Sequence, residues 1–543
     1  MQIDGAPRVS AAAAQELDRV RQLVRNGRTS EAEQAYRALL ARESTCAPAA
    51  VALARLLAAS GRAAEAEAVV RPFAQGPHAT HEALSARAAA LKLLDRKAES
   101  LADYQAAARL NPTSGVAAHN VASGLGDAGR DREAVDEAQR AFSLGLDAPE
   151  TWLVYGRALQ GSQRFEEAEA ALGAALARRP GYGDALRDLS QLIWMRTGDA
   201  GAALAPVDSA LASAPAAAAG PLSSLKLRLL SNIVGEAAAL DFAKGALARS
   251  PGDPRLTLET AQLSLASTPE WSRDLIAGVL ARRPGDPVAR RALSHAELAL
   301  GEGARAAQIA ETLLAENAAD QEAAAALATA WRLTGDPRRA ELCDYETLVR
   351  AAFIDAPRGW SSLEAYLADL RTALAELHAL SAHPIEQSVR GGTQTSQNLA
   401  QSEHPVVRAF FEAIEGPIAA YRQALGQGED VFRRRNGGGH QVLGAWSVRL
   451  RAGGFHVDHM HPQGWISSAC YIETPQSIGE ADHAGWLRFG QPPIPSRPTL
   501  EAEHFVRPQP GLLVLFPSYL WHGTVPFSGE EHRTTIAFDL ISS

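Results

Sequence analysis

A sequence pattern with a period of about 34 residues limits the folds open to the first part of this chain. An arginine followed by glutamate at the third position after it recurs at a constant step, as Arg28/Glu31, Arg62/Glu65, Arg96/Glu99, Arg130/Glu133 and Arg164/Glu167. Between these motifs, apolar residues lie three and four positions apart, which is typical of short amphipathic helices. The pattern predicts stacked helix pairs, with one pair in each period.

The same period continues to about residue 345. Gly301 and Gly335 are again one period apart, and Arg-Arg-Pro-Gly occurs at both 178–181 and 282–285. Copies between about 200 and 300 are degenerate, so we expect eight to ten repeats within a helical domain over 12–345.

This arrangement resembles the tetratricopeptide repeat family, in which neighbouring helix pairs stack because one pair cannot bury its apolar face alone. The resemblance implies an all-α superhelix whose concave groove binds a peptide or protein. The alternative is that the array serves only as a spacer or a dimerisation surface.

Composition narrows the class of protein further. The chain has 53 basic and 62 acidic residues and a formal net charge of −9, which does not favour nucleic acid as a partner. Cys46, Cys343 and Cys470 are far apart in sequence, which fits a reducing compartment better than a disulfide framework. The chain has neither an apolar run of about 18 residues nor a signal-like start. We expect a cytoplasmic protein that does not bind membranes, with a homo-oligomer left open.

The sequence changes character after residue 345, and we expect a second domain over 346–543. Helices are predicted over 363–380 and 406–425, with a polar loop over 387–399 between them. Short runs of alternating apolar residues follow, at 446–450, 468–472, 486–489, 512–516 and 535–538. Short strands divided by glycine and proline predict an antiparallel sandwich or barrel, for which a double-stranded β-helix (jelly roll) is the natural candidate.

Histidines cluster in this second domain. His459 and His461 are two positions apart, so on a strand their side chains would point the same way, and His522 would arrive from a later strand. Three protein ligands with open positions suit a catalytic metal. His456 and Asp458 with His522 form a second candidate set, and two histidines with one carboxylate favour non-haem Fe(II). Both sets stay open on the sequence.

The order of these motifs resembles the Fe(II)/2-oxoglutarate-dependent dioxygenases, in particular the oxygenase branch often fused to tetratricopeptide repeats. The resemblance covers roughly 345–543. Its most specific motifs are His459-Met-His461-Pro462, Pro510-Gly511, Phe516-Pro517-Ser518, His522 and Arg533-Thr-Thr-Ile-Ala-Phe538.

The resemblance implies Fe(II) as cofactor and 2-oxoglutarate as cosubstrate. Arg533 would bind the distal carboxylate of 2-oxoglutarate through its planar fork, and Tyr471 would hydrogen-bond the same carboxylate. The alternatives are a surface arginine and a core aromatic residue. His461 stands where the family usually has aspartate, so a set of three histidines would be one charge unit more positive than the family's site.

We therefore expect an Fe(II)/2-oxoglutarate-dependent dioxygenase that hydroxylates a peptide or protein side chain recruited by the repeats. One alternative is a metal-binding scaffold without catalysis. Another is an oxygenase for a small molecule, with the repeats used only for assembly.

Overall fold

The computed structural model describes residues 10–76, 79–479 and 482–542. The chain divides into two compact units between Pro180 and Gly181. The predicted domain boundary at residue 345 falls inside the second unit, where it separates segments of different secondary structure, and it stays a prediction.

The first unit consists of paired helices. They are Ala11–Arg25 (α1), Thr29–Arg42 (α2), Ala47–Ala59 (α3), Ala63–Val70 (α4), His81–Leu93 (α5), Lys97–Leu110 (α6), Gly115–Asp127 (α7), Asp131–Ser143 (α8), Pro149–Gly161 (α9) and Phe165–Arg178 (α10). The second helices of successive pairs start at Thr29, Ala63, Lys97, Asp131 and Phe165, a constant step that confirms the predicted period.

The recurring motif marks the turn inside each helix pair. The residue before each motif arginine has a left-handed backbone, with φ between +57° and +77° at Gly27, Gly61, Asp95, Gly129 and Gln163. Glycine adopts this conformation without steric cost, which explains its preference at the position. The arginine then pairs with the motif glutamate, as in Arg28 Nε to Glu31 Oε1 at 2.6 Å. These ion pairs are exposed, so solvent screens them and each contributes little to stability.

The second unit begins with further helix pairs. They are Gly183–Thr197 (α11), Ala200–Ala212 (α12), Ala216–Ile233 (α13), Glu236–Arg249 (α14), Pro254–Ser264 (α15), Pro269–Arg282 (α16), Pro287–Leu300 (α17), Gly303–Glu316 (α18), Gln321–Thr334 (α19) and Arg339–Cys343 (α20). Within the described residues, α1–α20 therefore form ten consecutive pairs, in agreement with the expected eight to ten. No helix of this described chain is both long and apolar enough to cross a membrane.

Capping residues explain where these later helices start and stop. The Asp286 carboxylate accepts hydrogen bonds from the backbone N–H groups of Val288 and Ala289, at 3.0 and 3.1 Å, and so begins α17. Gly301 and Gly335 end α17 and α19 with φ of +83° and +68°. These two glycines, one period apart, are thus helix stops.

Antiparallel sheets follow the repeats, as predicted. Three helices accompany them, Tyr345–Leu348 (α21), Leu363–Leu377 (α22) and Pro405–Leu425 (α23). The described strands are Arg350–Phe353 (β1), Val389–Gln394 (β2), His440–His456 (β3), Ile466–Glu473 (β4), Leu487–Phe489 (β5), His504–Val506 (β6), Leu512–Pro517 (β7), His522–Thr524 (β8) and Arg533–Ser542 (β9). They form a six-stranded sheet of order β1-β7-β4-β9-β3-β2 and a three-stranded sheet of order β6-β5-β8. The double-stranded β-helix stays a prediction.

The prediction of a loop over 387–399 is wrong in its central part. Residues 389–394 form the edge strand β2, whose Gly392 pairs with Leu450 of β3. A Cβ on Gly392 would lie 2.7 Å from the Arg449 carbonyl oxygen, so close backbone approach explains the glycine. Pairing with β3 overrides a composition that by itself favours a loop.

The last repeats and the sheets share one apolar core, which runs from Ala261 in α15 to Leu540 in β9. Polar contacts reinforce it, since the Trp521 indole N–H donates to Thr329 Oγ1 of α19 at 2.9 Å. The Tyr519 hydroxyl donates to the Leu342 carbonyl of α20 at 3.0 Å. Helices α19 and α20 therefore support the segment that leads into β8.

Acid should destabilise the second unit. Burial lowers the pKa of His295 and of His378 to about 4, and a nearby arginine adds to the effect in each case. In the unfolded chain these side chains bind protons at a pKa near 6.5. The folded unit thus binds fewer protons between about pH 4 and 6.5, so its free energy of unfolding falls as pH decreases through that window. Between pH 7 and 5 we expect a loss of about 2 kcal/mol from His295.

Denaturant unfolding followed by tryptophan fluorescence measures this effect, because Trp152 is the one tryptophan of nine outside the second unit. A His295→Gln variant should show a smaller loss of stability between pH 7 and 5 than the wild-type chain. Equal losses in the two proteins would contradict the prediction.

Candidate metal centre

Backbone pairing brings the histidine-bearing segments together. The His459 N–H donates to the His522 carbonyl and the His522 N–H donates to the His459 carbonyl, both at 2.9 Å. The His461 N–H donates to the Ser518 carbonyl at 2.9 Å. The expectation that His459 and His461 lie on a strand is wrong in detail, because β3 ends at His456. They lie in the segment just after it, which is held in register by residues 518–522.

One ring nitrogen from each of His459, His461 and His522 lies within 4.8 Å of the others. The His459 and His461 Nε2 atoms are 3.2 Å apart, and the His459 and His522 ring centres are 4.2 Å apart. The structure thus brings one of the two candidate sets into a single cluster of three imidazoles.

The second ring nitrogen of each histidine has an oxygen partner. His459 Nδ1 lies 2.8 Å from the Val457 carbonyl, and His522 Nδ1 lies 2.9 Å from the Leu520 carbonyl. His461 Nδ1 lies 2.6 Å from Asp539 Oδ2. Because a carbonyl can only accept, each of the first two rings carries its proton on Nδ1. Such contacts orient metal-binding histidines and leave Nε2 as the ligand atom.

Burial keeps the rings of His459 and His522 unprotonated at neutral pH, so that their free ring nitrogens can bind a cation. Burial, together with the charge of the neighbouring His461, lowers the pKa of His459 to about 3. Burial likewise holds the pKa of His522 well below its ordinary value. Because the His459 ring carries its proton on Nδ1, its Nε2 atom presents a lone pair toward the other ring nitrogens of the cluster. A shared cation stabilises that arrangement, so the donor set fits a divalent metal.

His456 and Asp458, the two residues found only in the second candidate set, have other partners. Both oxygens of Asp458 accept hydrogen bonds from the Arg488 guanidinium, at 2.9 and 2.6 Å. His456 Nδ1 lies 2.8 Å from the Ser388 hydroxyl, although the ring stacks beside His459 with centres 6.0 Å apart. Among the described residues, neither side chain joins the cluster of three histidines.

A cavity of about 710 Å³ is lined by the three histidines and by Arg533. Arg533 is only 2% exposed to solvent, and its Nε has no hydrogen-bond partner. Within the described part of the chain, no carboxylate lies at ion-pair distance from this guanidinium. Burying an uncompensated charge is costly. An anion bound in the cavity would remove that cost, so Arg533 fits a carboxylate ligand.

Tyr471 lies next to Arg533 on the neighbouring strand β4. Arg533 Nη2 is 3.4 Å from the Tyr471 hydroxyl, and the guanidinium carbon is 5.0 Å from the ring centre. Burial raises the pKa of Tyr471, so its hydroxyl stays protonated at neutral pH. The structure places this side chain against the arginine, and its hydrogen bond to the carboxylate of 2-oxoglutarate stays a prediction.

Sequence reasoning missed several side chains of the cavity. Trp446 stacks on His461 with ring centres 5.8 Å apart. Asn232, from α13, lines the cavity, and its side-chain oxygen accepts a hydrogen bond from the Glu386 N–H at 3.0 Å. Nothing local in the sequence links Asn232 to the sheets. Asp539 could have been identified from the sequence, because it is an acidic residue within the apolar run of β9.

The fold and the site define a helical repeat protein with a C-terminal antiparallel β-sheet domain that can hold a metal. A family model described as "Putative 2OG-Fe(II) oxygenase" matches residues 444–539, which include the three histidines and Arg533. The chain therefore carries a 2OG-Fe(II) oxygenase domain after its repeats, as the sequence motifs predicted.

Comparison with solved structures gives matches at low sequence identity. A tetratricopeptide repeat protein from Parabacteroides merdae is 16% identical, with a TM-score of 0.36, and covers 46% of this chain and 98% of its own. The type IV pilus biogenesis factor PilW is 19% identical, with a TM-score of 0.31, and covers 39% and 96%. No curated protein matches the chain.

One variant tests the metal centre itself, and a second distinguishes the two candidate ligand sets, because His522 belongs to both. We expect His522→Ala to abolish Fe(II) binding and leave the helical repeats folded, as measured by anaerobic iron titration and circular dichroism. Asp458→Asn should still bind one iron per chain, because its carboxylate contacts Arg488. Breaking that buried pair should lower the free energy of unfolding by about 3 kcal/mol. Stoichiometric iron in His522→Ala would contradict the metal centre, and loss of iron binding in a folded Asp458→Asn variant would contradict the choice of His459 and His461 over His456 and Asp458.

Proposed function

We propose that this protein is an Fe(II)- and 2-oxoglutarate-dependent dioxygenase that hydroxylates a side chain of a peptide or protein presented by its repeats. The observation that carries the proposal is the pairing, in one cavity, of three clustered imidazoles with a buried arginine that lacks a counter-ion. A divalent cation and an anionic cosubstrate satisfy both features at once.

His459, His461 and His522 would hold the iron through their Nε2 atoms and leave other coordination positions open. When bound, iron and 2-oxoglutarate supply the oxidising chemistry with molecular oxygen. Arg533 would bind the distal carboxylate of 2-oxoglutarate, because its fork matches a carboxylate in a bidentate manner. Tyr471 would keep the guanidinium in place.

The cavity wall limits the access of water to the site. Apolar side chains of Leu443, Met460, Leu487 and Phe516 line it together with the histidines. The Trp446 ring lies nearly parallel to that of His461, at an angle of 15°, and covers one of its faces. Excluding water strengthens the electrostatic contacts that hold a charged cosubstrate.

A repeat helix contributes to the same cavity, which supports a role for the repeats in presenting the substrate. Asn232 of α13 and Glu386 both line it. Arg228, one turn earlier in α13, pairs with Glu386 at 2.7 Å and so ties the repeat helix to this part of the wall. The tetratricopeptide-like fold itself suggests protein interaction. A substrate approaching the metal would therefore meet a surface built partly by the repeats.

A small-molecule substrate is the second candidate. Ligand pockets typically measure about 300–1,000 Å³, and a cavity of about 710 Å³ lies within that range. Under this alternative, the repeats would serve only for assembly.

Succinate formation tests the proposed activity. The wild-type chain, loaded without oxygen with Fe(II) and 2-oxoglutarate, should release succinate on exposure to oxygen, slowly even when no substrate is present. Omitting iron should abolish the product. A chain that binds both ligands and forms no succinate would contradict the proposal.

Replacing Arg533 should separate cosubstrate binding from metal binding. Losing hydrogen bonds to a charged carboxylate costs about 1.5–3 kcal/mol, so Arg533→Gln should raise the Kd of 2-oxoglutarate by about 10- to 100-fold. Its affinity for Fe(II) alone should change little. Anaerobic calorimetric titration measures both quantities.

The matched control is Arg449→Gln, which removes an arginine of the adjacent strand β3 whose side chain contacts His532. This variant should bind 2-oxoglutarate with wild-type affinity. Equal weakening in the two variants would show that loss of a positive charge anywhere in the domain explains the effect, and would refute the role given to Arg533.

A further inference from the structure

Asp539 is not one of the candidate metal ligands, but it contacts one of them, His461. It lies on β9, is only 7% exposed, and lines the cavity. One oxygen, Oδ2, is 2.6 Å from His461 Nδ1. The other, Oδ1, accepts a hydrogen bond at 2.7 Å from the hydroxyl of Ser467, the residue opposite it on β4. Two different partners therefore fix the carboxylate.

This contact distinguishes His461 from the other two histidines. His459 and His522 each contact a neutral carbonyl two residues earlier in the chain. His461 alone among the three contacts a carboxylate, and that carboxylate comes from a distant strand. A charged acceptor polarises the imidazole more strongly than a carbonyl does and increases the basicity of the ligand nitrogen.

Asp539 also lacks a strong cationic partner of its own. Within the described part of the chain, no lysine or arginine lies at ion-pair distance, and His461 is its one ion-pair partner. A buried carboxylate without a cation is unfavourable. A divalent ion on the far side of the His461 ring would provide the missing positive charge.

The charges in the cavity then balance. Three neutral imidazoles leave the full double charge on a bound divalent ion, whereas a carboxylate ligand would offset one unit. With Asp539 counted, the ion, Arg533 and doubly negative 2-oxoglutarate together carry no net charge. Balance matters because charges interact strongly where water is excluded.

We propose that Asp539 supplies, through His461, the negative charge that a directly bound carboxylate would otherwise place on the metal. The inference rests on the metal site of the proposed function. Asp539 is a positioning residue under this assignment, because it acts on the metal only through the imidazole that it contacts.

The first test is Asp539→Asn, which keeps the shape of the side chain and an oxygen that can accept from His461 Nδ1. Fe(II) affinity is measured without oxygen or 2-oxoglutarate, by competition with a chelator. We expect affinity to fall by about 10- to 100-fold. The Co(II)-substituted variant should also show a shifted ligand-field absorption band, which a purely structural role for Asp539 would not produce.

Ser467→Ala is the matched control, because it disturbs the same buried hydrogen bonds and leaves the charge in place. Its Fe(II) affinity should fall much less than that of Asp539→Asn, and its Co(II) spectrum should match the wild type. An equal loss in both variants, or wild-type affinity in Asp539→Asn, would overturn the inference.

A double-variant cycle makes the test independent of how well any single variant folds. His461→Asp moves the carboxylate onto the metal itself and makes the charge of Asp539 superfluous. In that background, Asp539→Asn should leave Fe(II) affinity unchanged or raise it, opposite to its effect in the wild-type background. A comparable loss in both backgrounds would overturn the proposal.

These measurements use metal binding alone, so they separate the inference from the proposed activity. A wild-type chain that binds Fe(II) in an Asp539-dependent manner and makes no succinate would refute the oxygenase activity and support the inference. A chain that makes succinate and binds Fe(II) equally well with Asn at position 539 would refute only the inference.

Discussion

Two reciprocal backbone hydrogen bonds between His459 and His522 hold the candidate metal centre together. They join the segment after β3 to the start of β8, and they bring the imidazole rings of His459 and His522 together. The support behind them comes from the repeats, because Trp521 donates to Thr329 of α19. The geometry of the site therefore depends on packing between the last repeat helices and the sheets, within one shared core.

The charged groups of the site are incompletely paired within the described part of the chain. Arg533 is buried without a carboxylate, Asp539 is buried without a lysine or arginine, and two Nε2 atoms face each other across 3.2 Å. The first two arrangements are unfavourable by themselves. A divalent ion and a dicarboxylate relieve them together, which is the physical reason for assigning iron and 2-oxoglutarate to this cavity.

The features that could be predicted from the sequence are those that local residue patterns determine. The repeat period follows from turn positions that need a left-handed backbone, and the close sequence spacing of His459 and His461 indicated a cluster although neither residue lies on β3. Strand pairing accounts for what the sequence could not predict. The edge strand β2 forms only by pairing with β3, and Asp539 reaches His461 only through the register of β9 against its neighbours. The contribution of Asn232 depends on repeat helices packing against a loop far along the chain.

The most direct measurement is the position of the iron. Crystals grown without oxygen, with Fe(II) and 2-oxoglutarate, would locate it by anomalous scattering at the iron absorption edge. We predict one iron site bound by the Nε2 atoms of His459, His461 and His522, with a carboxylate of 2-oxoglutarate against Arg533. Iron bound through Asp458 or His456, or 2-oxoglutarate lying away from Arg533, would contradict this prediction.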